Sequence, residues 1–249
     1  MRKDVQKITI IGGTTKSGEK EPIRKLEINE GDILAVVGPT GSGKSLLLSD
    51  IEQLAAGDTL SNRTILLNDG RPDGQDRRMV AQLSQTMNFV VDMPVRDFLA
   101  LHASSRGLTD DSIADEAISL ANRLAGEPID PYGNMTALSG GQSRALMIAD
   151  IALISNAPVV LIDEIENAGI NRLEALEMLS EKGKIVIVAT HDPLIVLLAQ
   201  KRIVMHNGGM SKILETSVEE KKLLKKLIAM DNELSSLRDT LRKGSTAGI

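Results

Sequence analysis

The octapeptide Gly38-Pro39-Thr40-Gly41-Ser42-Gly43-Lys44-Ser45 limits what this chain can fold into more than any other stretch. It follows Ile33–Val37, an unbroken aliphatic run, and opens directly into Lys44–Ala55, which has helical periodicity. A buried strand, a glycine turn and a helix in that order form a cradle for phosphate. The glycines let consecutive backbone N–H groups turn inward around phosphate oxygens, and the helix points its positive end at them. Lys44 is placed to reach the β- and γ-phosphates of a nucleotide, and the Ser45 hydroxyl to ligate Mg²⁺.

Further short runs read as strands: Lys7–Ile11, Thr64–Leu67, Met79–Leu83, Val159–Ile162 and Ile185–Ala189. The last three share with Ile33–Val37 a nearly continuous apolar character, expected of strands buried on both faces of a parallel sheet. Each of the three ends in polar residues: Ser84-Gln85, Asp163-Glu164 and Thr190-His191. Open α/β sheets bind ligands at the carboxyl ends of their strands, so four such ends converge on one site. Helical patterns cover Gln142–Ile154, Asn171–Lys182 and Pro193–Gln200, the last with Asp192 as N-cap. The expected fold is α/β: a P-loop NTPase core with a mostly parallel sheet and an antiparallel β layer in the first seventy residues. A helical subdomain is inserted at about 93–142, inside a domain spanning 1–216.

A heptad-patterned helix follows over 217–243, then a tail over 244–249. Ser217 and Glu220 form a capping box, and Leu223, Leu227, Met230, Leu234, Leu237 and Leu241 recur at spacings of four and three. This seam either packs back on its own domain or contacts a second copy. No apolar run approaches the ~20 residues of a membrane helix. The formal net charge of −5, with no long basic run, argues against a dedicated nucleic-acid binder. With no cysteine in the chain, thiol catalysis and thiolate metal sites are excluded.

Asp163 and Glu164 place two carboxylates at the end of Val159–Ile162. Asp163 is suited to hold Mg²⁺ through its water shell, and Glu164 to orient and polarise an attacking water. A second glycine-rich helix start, Leu138-Ser139-Gly140-Gly141-Gln142, is not needed for a P-loop domain to hold its own nucleotide. With Gln85, His191 and the segment Glu166–Ile170 in their order, it makes the chain resemble the ATP-binding-cassette (ABC) ATPases over about residues 20–208.

The resemblance implies a head-to-tail dimer in which each P-loop holds ATP and Mg²⁺. Ser139, Gly140, Gly141 and Gln142 of one copy close over the γ-phosphate held by the other. It implies Mg²⁺ ligation by Gln85 beside Ser45 and Asp163, a γ-phosphate hydrogen bond from His191, and catalytic roles for Glu164, His191, Lys44 and Gln85. It further implies a cytoplasmic subunit held at the inner face of the membrane by separate permease chains; the stretch Thr86–Phe98 lies where such partners dock. A non-transport ATPase that remodels or assembles a protein partner is the alternative.

Three departures stand out. The region before the P-loop has no aromatic to stack on adenine, leaving Ile10, Ile11 or Ile23. Glu166-Asn167-Ala168-Gly169-Ile170 lacks the Asp usual in the D-loop, and Asp150 stands where Arg is common. His102 and His206 read as surface or internally satisfied side chains.

Overall fold

A computed structural model describes residues 5–73, 79–84, 89–165, 169–242, 244 and 246. Two sheets organise them. The larger has the order β5-β6-β7-β3-β8-β9, formed by Val80–Leu83, Val159–Asp163, Ile185–Ala189, Ile33–Val37, Lys201–His206 and Gly209–Glu215 respectively. All its neighbours are parallel except the β8–β9 hairpin. The smaller is antiparallel, β2-β1-β4, from Lys25–Asn29, Lys7–Ile11 and Thr64–Leu67.

The central strands explain why the larger sheet forms. Alternate residues of β3, β6 and β7 enter two different cores. Ile33, Ala35, Val160, Ile162, Val186 and Val188 join the helical side. Leu34, Val36, Val159, Leu161, Ile185 and Ile187 join the side covered by the smaller sheet and by α1 (Lys44–Glu52). Two-sided burial removes any polar–apolar alternation and leaves the unbroken aliphatic runs seen in the sequence.

Met79–Leu83 does not share this burial. It forms the edge strand β5, Val80–Leu83, of which only Leu83 is buried. Helix α1 ends at Glu52, short of Ala55, because Leu54 takes a left-handed conformation at φ 52°. The β8–β9 hairpin carries no such aliphatic run, and its strands lie outside the set recognised from sequence.

Helices α2 (Val95–Ser105) and α3 (Ile113–Leu124) stand between β5 and α4 (Gly140–Leu153). Their apolar faces, with Val95, Leu99, Ala117, Ile118 and Ala121, share one core with α4, α3 packing on α4 and α2 on α3. Two short helices follow, α5 (Arg172–Glu181) and α6 (Pro193–Leu198), the latter capped by the Asp192 side chain on Leu194 N–H. Helix α7, Val218–Arg242, packs its first half on α6. Among the described residues no helix is long and apolar enough to cross a membrane.

Candidate functional site

The register of the sheet aligns three strand ends. Asp163 of β6 pairs with Ala189 of β7, which pairs with Val36 of β3. Immediately beyond lie Glu164, Thr190-His191 and the Gly38 loop, so residues far apart in sequence share one edge. Lys44, Ser45, Asp163, Glu164 and His191 line a single cleft of about 410 Å³ together with Thr40, Gly41, Gly43 and Lys16.

The glycine loop is shaped by close contacts. Gly43 has φ 103°, and a Cβ there would lie 2.8 Å from the Gly208 Cα. Only glycine lets the turn between β8 and β9 approach so closely. That turn is fixed from below by a buried ionic cluster. Arg63, fully buried, donates to the Gly208 carbonyl at 2.6 Å and pairs with Asp50 at 2.7 Å and Glu21 at 2.5 Å. Gly208 in turn donates its N–H to the Ser42 carbonyl at 2.9 Å. Burial pushes the Glu21 carboxyl up, while the Arg63 guanidinium beside it pulls the other way. Nothing in the local sequence around Arg63 marked it as a support of the loop.

Within the cleft the Lys44 ammonium donates to the Gly38 carbonyl at 2.8 Å and lies 3.1 Å from His191 Nε2. An ammonium has only donors, so in this contact Nε2 is on the accepting side. Glu164 takes φ 52°, left-handed for a non-glycine residue, with its N–H bonded to the Ala189 carbonyl at 3.1 Å. Such a conformation costs on the order of 1–2 kcal/mol and is retained where the surroundings fix it. Ser45 and Asp163 are hard oxygen donors. Among the described residues no cluster of three or more His, Cys, Asp or Glu could hold a metal alone. That set fits Mg²⁺, which is held by one or two protein oxygens plus substrate phosphates.

Lys16 and Leu46 are the lining residues that sequence reading missed, and Lys16 is the one with a charge to offer. Its Nζ donates to the Gly41 carbonyl at 2.8 Å, and its N–H bonds to the Asn207 carbonyl at 2.8 Å. The β1–β2 loop is therefore tied to the β8–β9 turn, and a surface lysine is laid over the phosphate loop. Ile10, expected beside the nucleotide base, is fully buried in the core under the smaller sheet. Of that trio it is unavailable, while Ile11 and Ile23 stay half-buried.

Ser139 caps α4. Gln142 N–H donates to Ser139 Oγ at 3.3 Å, and Ser139 N–H donates to Gln142 Oε1 at 2.9 Å. Gln142 Nε2 donates to the Pro128 carbonyl at 2.8 Å, so this side chain is engaged at both polar ends in shaping the helix start. The helix therefore begins at Gly140, two residues before Gln142, and the backbones of Gly140 and Gly141 form its first turn. None of these residues lines the cleft that holds Lys44. Gln85 and the D-loop residues Glu166, Asn167 and Ala168 lie outside the described residues.

His102 is internally satisfied, its Nδ1 2.6 Å from Asp150 Oδ1, and this pair accounts for a buried carboxylate inside α4. His206 is exposed at the end of β8. Phe89 and Phe98 pack edge to face with centroids 5.7 Å apart, beside the exposed Val90 and Val91.

Comparison with known proteins agrees with this geometry. Residues 24–167 match the family model described as ABC transporter. An uncharacterised ABC transporter ATP-binding protein of Methanocaldococcus jannaschii is 57% identical over 246 residues, covering 97% of this chain and 94% of the relative. A macrolide export ATP-binding/permease protein, MacB of Campylobacter jejuni, is 30% identical over 86% of this chain, which spans only 35% of that relative. Among solved structures, a dimeric ATP-binding cassette in a post-hydrolysis state with ADP and Pi superposes with a TM-score of 0.63 at 24% identity, covering 84% of this chain and 99% of that one. CbiO1 of Clostridium perfringens, part of the cbiONQ complex, gives 0.63 at 19% identity over 96% of this chain and 97% of its own. Sheet order, cleft and relatives agree: the chain belongs to the ATP-binding-cassette transporter family of ATPases.

Proposed function

We propose that this chain hydrolyses MgATP at two composite sites of a head-to-tail dimer and thereby drives a transporter whose membrane subunits are separate chains. The observation that carries the catalytic reading is the convergence of Lys44, Ser45, Asp163, Glu164 and His191 on one cleft. Mg²⁺, when bound with the triphosphate, neutralises phosphate charge. Ser45 and Asp163 would hold it on the protein side, with Gln85 as a further proposed ligand. Lys44 and the backbone N–H groups of residues 38–45 bind the β- and γ-phosphates, Lys44 exchanging its carbonyl contacts for phosphate oxygens.

Glu164 orients the attacking water and draws on its proton. His191 sits against Lys44, on the γ-phosphate side, and holds that phosphate in line. Lys16, laid across Gly41, adds a second ammonium at the rim and contacts the phosphate chain rather than the base.

The dimer reading rests on the position of the second glycine-rich helix start, residues 138–142, the signature of the family. Its exposed helix start carries outward-facing N–H groups suited to an anion, yet it does not line its own cleft. A symmetric pair brings each signature to the other's γ-phosphate, and both sites are completed at once. Solved relatives of this fold include dimeric cassettes, one with ADP and Pi. The transporter role rests on the family and on relatives named as transporter components. Coupling to permease chains places the subunit at the cytoplasmic face of a membrane.

Glu164→Gln tests the catalytic assignment. The amide keeps the shape of the side chain but lacks the charge that polarises water. Turnover is expected to fall by about two orders of magnitude or more, while ATP affinity is retained. Near wild-type hydrolysis by this variant would remove Glu164 from the reaction.

A further inference from the structure

We propose that the exposed seam of α7 docks on the same seam of a second copy of this chain, the two helices running parallel and in register. This contact is separate from the nucleotide-bridged one and needs no ATP.

Leu227, Leu234 and Leu241 take the a positions of a heptad, and Leu223, Met230 and Leu237 the d positions. Five of the six are open to solvent, with exposures of 47% at Leu223, 59% at Met230, 51% at Leu234, 42% at Leu237 and 55% at Leu241. The face turned to the body adjoins the seam along its a and e edge: Glu220, Leu224, Leu227, Ile228 and Asp231 are half-buried there.

The root of the helix is fixed to the body by Arg202–Glu220 at 2.6 Å and Arg172–Asp231 at 3.1 Å, and its own first turn is closed by the Ser217/Glu220 box. From Asn232 to Arg238 every residue is exposed, so about two turns stand clear of the body. Helical turns without tertiary contact are marginal in water, and a continuous stripe of large apolar side chains is an interaction surface rather than ordinary scatter.

Charge selects the partner and the direction. Lys226 and Glu233 occupy g positions, and Asp231 and Arg238 occupy e positions. In a parallel pair, g of one helix faces the e five residues on in the other. Lys226 of one copy then meets Asp231 of the other, and Glu233 meets Arg238, each pair twice by symmetry. Asp231 already accepts from Arg172 through Oδ2, but a carboxylate accepts several hydrogen bonds. A full-length antiparallel overlap instead brings Glu233 against Glu233 and Asp231 against Asp231. Opposite charges therefore favour the parallel register of two identical helices. Fewer than three heptads give a weak dimer, whose effect is to keep two cassettes at high local concentration.

The absence of cysteine makes the test direct. Leu234→Cys, Leu241→Cys and, on another face, Ser236→Cys are made singly in the full chain and oxidised without nucleotide. Disulfide dimers are expected at Leu234→Cys and Leu241→Cys, at yields unchanged by ATP or by an added Ser139→Arg, and at least fivefold lower at Ser236→Cys. Equal yields at all three positions, or none at any, overturn the docking. Cross-linking at Leu234→Cys without Leu241→Cys overturns the parallel register. In parallel, Leu234→Asp with Leu237→Asp should abolish the nucleotide-free dimer seen by sedimentation while Tm stays within a few degrees. A dimer that persists in that variant also sinks the proposal, and neither result bears on whether the cleft hydrolyses ATP.

Discussion

At the scale of single residues, the cleft holds two lysines with different tasks. Lys44 is buried and bonded inside the loop, whereas Lys16 is exposed and reaches the loop from outside. A donor-only ammonium on phosphate cannot tell adenine from guanine, and no aromatic supplies the ~1–3 kcal/mol of base stacking. ATP and GTP are therefore expected to compete within about tenfold in an equilibrium competition assay. Lys16→Met keeps the aliphatic stem and should weaken ATP, GTP and tripolyphosphate alike, by about three- to tenfold, with Lys16→Arg restoring most of the loss. A loss confined to one nucleotide would mean that Lys16 reads the base. Lys16 could not be found from sequence because it is one unremarkable lysine in a polar loop; only the turn at Asn207, 191 positions away, brings it over Gly41. Lys44 and Glu164 were legible because their neighbours are diagnostic. The left-handed φ of Glu164 was not, since no residue type announces it.

Elements show a similar division. Two-sided burial writes itself into β3, β6 and β7 as aliphatic runs, whereas the box of Ser139 and Gln142 that starts α4 two residues before Gln142 emerged only in the structure. Edge and hairpin strands leave weaker traces. In β9 a glycine, a serine and a lysine interrupt the pattern, and β8 begins with two charges, Lys201 and Arg202, the second of which pairs with Glu220 of the tail helix. The tail helix was legible as a seam, but which face meets the body depends on Arg172 and Arg202, from elsewhere in the chain.

The root of that helix should respond to acid. Arg202, with the Ser217 N–H, holds the Glu220 carboxyl below its ordinary value of 4.5. A lowered folded value means stabilisation that is present above 4.5 and lost as pH falls through the folded value. Wild type should accordingly be more stable than Glu220→Gln at pH 7, and the difference in Tm should shrink as pH falls below 4.5 and through the lowered folded value. A difference independent of pH would place the effect of Glu220 in packing instead of charge.

For the whole molecule, the separation of signature and cleft within one chain is the fact that any function must accommodate. Ser139→Arg should abolish hydrolysis and leave ATP binding intact, because its bulk and charge reach only the site on the partner. Lys44→Ala should lose binding at its own cleft. Mixing the two gives heterodimers in which one site has both an intact P-loop and an intact signature. ATPase activity should reappear on mixing, up to about a quarter of wild type, since half the dimers are mixed and each has one good site. Activity that never exceeds the sum of the separate variants would refute assembly of the site in trans.

Arg172 gives one of its nitrogens to Asp192, the neighbour of His191, and another to Asp231 on the tail helix. One cation thus serves two masters: the loop that carries the histidine and the root of the helix that carries the seam. Neither carboxylate can move away without leaving the guanidinium to the other. Linkage then makes the traffic two-way: if nucleotide binding shifts the histidine loop and so alters helix pairing by some factor, pairing must alter nucleotide affinity by that same factor. A tail positioned this way is no mere tether, because the same arginine that anchors it also holds the loop that carries His191.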